Sequence, residues 1–225
     1  RGIINSNSAR DGGGIYADQC TLDLASGHPF GVLWNNQATR NGGGVYAFGA
    51  AAITRLYSFA ASTPTRVQAN RAEGRGGALY SRDGADLQIQ NVEFLANSAS
   101  DVGAILIHGS GSTSGNDLSL ASSGLIAGAS ACPSGQICNR FVDNRSQVAG
   151  VTNSGVAAIA LQLDGNSAGR ALLRGVLFDA NQGGSVVHSN IATPASGRLL
   201  DLANAAFVGN QVIGTQSALV VGHAL

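Results

Sequence analysis

Lysine and methionine are absent from the 225-residue chain, so all 13 basic residues are Arg. They are balanced by 13 acidic residues, nearly all Asp, with Glu only at Glu73 and Glu93. Sparse and balanced charge (12% of residues) removes the electrostatic footprint of a nucleic-acid binder, and no such partner is expected. Losing Lys, Met and most Glu also removes good helix formers. The 32 Gly, with Asp, Asn and Ser, favour turns instead, so helix is disfavoured along the whole chain. No apolar run is long enough for a transmembrane helix. The 44% hydrophobic content is too high for disorder and sufficient for one sizeable core. With no initiator and a polar opening, Arg1–Ser8, that lacks the apolar stretch of a signal peptide, the chain reads as an excerpt of a longer one.

Cysteine is equally scarce. Cys132 and Cys138 bracket Pro-Ser-Gly-Gln-Ile, a spacing that closes a small loop by a disulfide and implies an oxidising compartment. Cys20 is left over, either as a small buried hydrophobe or with a partner outside this stretch. No second Cys or His pair has ligand spacing, so neither a metal nor another cofactor is expected.

What the chain has in abundance is a repeat. Asn7-Ser-Ala-Arg-Asp-Gly-Gly-Gly-Ile15-Tyr16 returns at Asn36 to Tyr46 and at Asn70 to Tyr80, and a weaker copy runs from Asn97 to Leu106. An apolar residue stands three positions before each Asn. It is Ile4, Leu33 and Val67 at first, then Phe94, Phe141, Phe178 and Phe207. Anchored on Asn7, Asn36, Asn70, Asn97, Asn144, Asn181 and Asn210, the intervals are 29, 34, 27, 47, 37 and 29 residues. Between glycine clusters lie period-two runs such as Leu87-Gln-Ile89-Gln, the pattern of half-buried strands, with no amphipathic helix in any unit. Units of about 30 residues carrying two or three short strands predict an all-β parallel β-helix of about seven coils. Stacking at about 4.8 Å would align Ile15, Val45, Leu79 and Ile105 as one inward column. The seven Asn would form a structural ladder, because a side-chain amide inside a turn bonds its own coil and its neighbours. The Asn144-Arg-Ser146 sequon is discounted because its Asn belongs to that ladder.

The Gly-Gly-x-Ile and Phe-x-x-Asn signatures resemble the repeats of chlamydial polymorphic outer-membrane proteins. They are similar also to the Gly-Gly-Gly-Ile-Tyr repeats of large bacterial secreted β-helix proteins. The resemblance covers most of the chain and is strongest from Asn7 to Ile107. It implies a right-handed helix and an extracellular or cell-surface, outer membrane-associated setting with an adhesive or structural role. The long interval after Asn97 and the faded glycine cluster beyond it depart from the family pattern.

No linker interrupts the repeat, so residues 1–225 read as a single domain, with a loop insertion at 109–139 that contains the Cys-bracketed hairpin. Gly109–Gly115 reads as a flexible loop, and Ser62–Thr65 and Thr193–Gly197 as smaller excursions. Neither end carries a polar cap, so a neighbouring polypeptide, from the same precursor or another subunit, is expected to cover the ends.

Candidate chemistry is thin. Tyr16, Tyr46 and Tyr80 each follow the inward residue, so alternation points them outward as a strip able to pack on sugar rings. Asp18, Arg82 and His108 fall in one outward row, interrupted by Phe48, too far apart for concerted acid–base work. Asp143 and Asp179 flank ladder Asn residues at different offsets, and Asp83 and Asp86 beside Arg82 are the nearest acidic pair. Glycoside hydrolysis needs two carboxyls held at a set separation, and no cluster of that kind stands out. The leading expectation is therefore a non-catalytic, secreted or cell-surface scaffold with a glycan or host-surface partner. A polysaccharide-degrading β-helix enzyme and a subunit stacking end to end are the alternatives.

Overall fold

The alternating runs become strands, and their outward and inward residues sort as period-two patterning requires. In the computed structural model, residues 2–26, 31–60, 62–110, 115–146, 155–164, 167–191, 200–213 and 217–223 are described. All regular structure among them is β, and every strand ladder is parallel, arranged in three sheets. The architecture is all-β and consistent with a parallel β solenoid.

One sheet collects the segments that follow each repeat's Asn, from Ser8–Asp11 to Gln211–Val212, stacked in chain order. A second collects the segments after the glycine clusters, from Ile15–Asp18 to Leu219–His223. The remaining sheet has two arms. One runs from Ile4–Asn5 to Asn139–Val142 and the other from Thr21–Ser26 to Leu118–Ala121, and both pair with the long strand Ala171–Asp179. Early repeats divide this segment into two strands where later ones run it as one, with the left-handed residue kept at Gly175 and Asn204. In the fourth, Asn91 makes the bend between Asp86–Gln90 and Val92–Leu95 with a φ of 58°.

Register holds through the faded repeats. The inward column continues past Ile105 to Ile159, Val187 and Leu219, all directly paired. Phe94, Phe141, Phe178 and Phe207 occupy one column with ring centroids 4.7, 5.2 and 4.7 Å apart. The first three are fully buried, each contributing about 2–3 kcal/mol by removal from water.

The Asn positions form one continuous hydrogen-bonded series. The side-chain oxygen of Asn97 accepts from the backbone N–H and the amide of Asn70, both within 3.1 Å. Its own amide donates to Asn144 Oδ1 and to the Val67 carbonyl. The same exchange links Asn7 to Asn36, Asn36 to Asn70, Asn144 to Asn181 and Asn181 to Asn210. The residue before each Asn is left-handed: Ser6, Asn35, Ala69, Ala96, Asp143 and Ala180, with Gly209 last. For a residue with a Cβ this conformation costs about 1–2 kcal/mol. The corner thus holds six unfavourable backbones in place, and the ladder with the buried aliphatic or Phe column beside it offsets them.

The glycines meet a different constraint. At Gly43 a Cβ would lie 2.2 Å from the Gly77 carbonyl of the next repeat, so adjacent turns pack backbone to backbone. Gly42, with a φ of 66°, makes the turn itself. Within the expected 109–139 insertion, Leu118–Ala121 is a strand of the two-armed sheet, so the excursion proper is 122–138. Residues 111–114 and the Thr193–Gly197 excursion lie outside the described residues.

Candidate functional site

The tyrosine row sits where alternation places it, opposite the inward column, with Tyr16, Tyr46 and Tyr80 directly paired across three strands. An exposed strip does not result. Tyr16 is 56% exposed, but Tyr46 and Tyr80 are 5% and 3%. The outer side of this sheet carries its own apolar layer of Tyr46, Tyr80, Val102, Leu106, Val156 and Ala160, with Phe48 packed against it. Period-two reasoning assumes that an outward residue meets water, and here it meets a second cluster. The signal was present in the sequence, since Phe48, Leu106 and Ala160 are all apolar at outward positions. Burial pushes the Tyr80 phenol up to about 12 and also raises Tyr46.

Arg82 and His108 are register partners. Tyr80 Oη lies 2.8 Å from His108 Nδ1, and His108 Nε2 lies 3.1 Å from Asp164 Oδ2. With the Nε2 proton directed at Asp164, Nδ1 is free to accept the phenol proton. Phenol, imidazole and carboxylate in series form the connectivity of a base-activated nucleophile. Yet the buried Tyr80 is shielded from any substrate, and burial makes it harder to ionise. The series therefore ties together three consecutive strands of this sheet, Leu79–Arg82, Ile105–Gly109 and Val156–Leu163, through the turn that follows the last. Asp164 had no sequence signal, because the long interval after Asn97 hides its register. Asp18 is two strands from Arg82, with Phe48 between, so the row does not converge.

The carboxylates do not gather either. Asp143 pairs with Arg145 at 2.9 Å, and Asp179 stands opposite Val142, out of step with it. Asp83 lies 2.8 Å from Arg82 Nε, an ion pair without an aligned N–H, and accepts from the Ser110 hydroxyl at 2.6 Å. Asp86 instead accepts from the Asp117 N–H at 2.9 Å, and burial raises its pKa. Other charges bridge neighbouring repeats in the same way, as in Arg66–Glu93–Arg140 and Arg170–Asp117. Among the described residues no three His, Cys, Asp or Glu side chains form a metal-binding group.

The excursion 122–138 is the element that departs from the repeat, and it is closed by the Cys132–Cys138 disulfide. It folds back across two repeats. Gln90 Oε1 accepts from the N–H groups of Leu125 and Ile126, and Gln90 Nε2 donates to the Ser130 carbonyl at 3.0 Å. The Ser130 N–H reaches the Ser58 carbonyl at 2.9 Å, and its hydroxyl donates to the Phe59 carbonyl. Buried Gln90 thus seats the excursion beside the outer face that carries Asp23, Arg55, Tyr57 and Gln88. Sequence reasoning passed over Tyr57 and Phe59, although Tyr57 alternates outward in Ile53–Ser58. Cys20 is exposed and unpaired.

No family model, curated protein or solved structure matches the chain.

Proposed function

We propose that this chain is a stretch of right-handed parallel β-helix of about seven coils, serving as a rigid spacer and adhesive scaffold in an extracellular or cell-surface protein. The setting is that of autotransporter passengers and polymorphic outer-membrane proteins. The observation that carries this reading is the unbroken amide series from Asn7 to Asn210. It commits one polar side chain in every repeat to holding backbone, while acidic and basic groups are spent pairwise instead of converging on a cleft. A disulfide-closed excursion suits an oxidising compartment. The test combines trypsin shaving of intact source cells with incubation of the purified chain on polysaccharides. Peptides from this chain should be released without lysis, and neither new reducing ends nor unsaturated products should form. Product formation, or peptides obtained only after lysis, overturns the reading.

A further inference from the structure

Among the described residues, Phe59 and Ile137 are the exposed large hydrophobics of the middle repeats. Ile137 belongs to the excursion, and Phe59 lies where the excursion is anchored. Between the excursion and the sheet runs an open groove of about 410 Å³, lined by Asp23, Arg55, Tyr57 and Gln88 on one side and Leu125, Ile126 and Ala127 on the other. We propose that this groove is a binding site for a neutral glycan chain.

Charge argues for neutrality. Arg55 Nε donates to Gln88 Oε1 at 3.1 Å, and its Nη1 lies 3.4 Å from Asp23 Oδ1. The floor's single cation is therefore matched by its single anion, and no charge is left over for an acidic or basic ligand. What remains is an alternation of donors and acceptors. The Gln88 amide nitrogen has no hydrogen-bond partner among the described residues, and Arg55 keeps further N–H groups. Hydroxyls both donate and accept, so a polyol matches this floor better than a group of one kind.

Geometry argues for a chain rather than a compact molecule. Asp23, Arg55 and Gln88 occupy directly paired positions on three consecutive strands. They repeat at about 4.8 Å along the stack, a step comparable to one hexose of an extended glycan. The groove is open and not a closed pocket. Ile53–Ser58, the middle strand of the floor, offers no edge to an added peptide strand, because it is paired on both sides.

Tyr57 supplies the aromatic surface inside the groove, and Phe59 extends it beyond the lining residues. Tyr57 and Phe59 meet edge to face, centroids 5.2 Å apart, and Phe59 is 51% exposed. An edge-to-face pair leaves ring faces open to the axial C–H groups of a pyranose. Leu125 and Ile126 form the opposite apolar wall, held by buried Gln90.

The inference deepens the scaffold reading by naming its ligand class, and it fails separately from it. Isothermal titration of the folded chain would use neutral hexasaccharides (cello-, manno-, xylo- and chito-) with hexagalacturonate and a heparin hexasaccharide as charged comparators. At least one neutral probe should bind and both charged probes should not. Tyr57→Ala and Phe59→Ala should each weaken binding about tenfold, and Tyr16→Ala, an exposed aromatic elsewhere, should leave it unchanged. Thermal midpoints near wild type show that each variant is folded, and Phe59→Ala, at a half-exposed site, keeps the test usable if Tyr57→Ala is not. No neutral probe binding, preference for a charged probe, or equal loss with Tyr16→Ala overturns the inference and leaves the scaffold standing. Binding followed by cleavage upholds the groove and overturns the non-catalytic scaffold.

Discussion

Asn97→Ala is the most direct probe of the amide series. Asn97 is fully buried and makes four side-chain hydrogen bonds. Alanine removes all four, but the damage is uneven. Asn70 Nδ2 keeps the Leu33 and Gln68 carbonyls, and Asn144 Oδ1 keeps the Asn97 backbone N–H. The group left stranded is the backbone N–H of Asn70, in a residue that is itself fully buried, and the Val67 carbonyl loses its amide donor. An unsatisfied buried polar group costs about 1–3 kcal/mol, so the substitution should destabilise by about 2–4 kcal/mol. Asn7→Ala is the matched control, since Asn7 is exposed and loses only its amide bond to Asn36. Its cost should stay below about 1 kcal/mol. Guanidinium unfolding gives the global values. Because stacked repeats can lose cooperativity, hydrogen exchange at the Asn70 amide provides the local readout, and its protection should fall sharply in Asn97→Ala. Equal costs at positions 7 and 97, or unchanged exchange at Asn70, would refute the claim that buried amides hold the corners.

The left-handed corner makes an opposite prediction: Ala96→Gly, at an exposed position with a φ of 53°, should stabilise by about 0.5–1 kcal/mol, as measured by the unfolding midpoint. Phe141→Ala, in the middle of the ring stack and fully buried, should cost about 3–5 kcal/mol, while Phe207→Ala at its end and only half-buried should cost clearly less by the same assay. Tyr80 carries a pH signature. Its folded pKa of about 12 lies above the unfolded phenol at 10, so its contribution is complete below pH 10 and is lost as pH rises through about 12. The total is about 2–3 kcal/mol, and Tyr80→Phe should flatten stability measured between pH 9 and 11.5. His188 has the reverse sign for acid: burial lowers its pKa below the unfolded 6.5, so stability present above that pH should fall as pH drops below it, and His188→Gln should remove that part of the loss.

The Phe-x-x-Asn and Gly-Gly-x-Ile signatures were legible because each repeat reuses one local solution: a glycine that lets backbones touch, an aliphatic or aromatic side chain pointing in, an amide in the corner. What they concealed was the residue between Phe and Asn. Ala69, Ala96 and Ala180 carry no mark of left-handed backbone, and only the corner they belong to imposes it. The tyrosine strip misled for a related reason. Alternation distinguishes one face of a sheet from the other, but it does not say what covers the outer one, and Val102, Leu106 and Val156 close over Tyr46 and Tyr80.

Sequence alone determined the class of strand, the repeat anchors and the Cys132–Cys138 pairing, since each depends on residues close together in the chain or repeated at recurring intervals. Tertiary structure alone decided the Tyr80–His108–Asp164 series and the groove beside Tyr57. Those depend on which residue of one repeat lies against which of the next. Unequal intervals between repeats, 27 to 47 residues among the laddered Asn, shift that register beyond what pattern counting can follow. An excursion, moreover, settles wherever the sheet happens to offer it a buried partner such as Gln90.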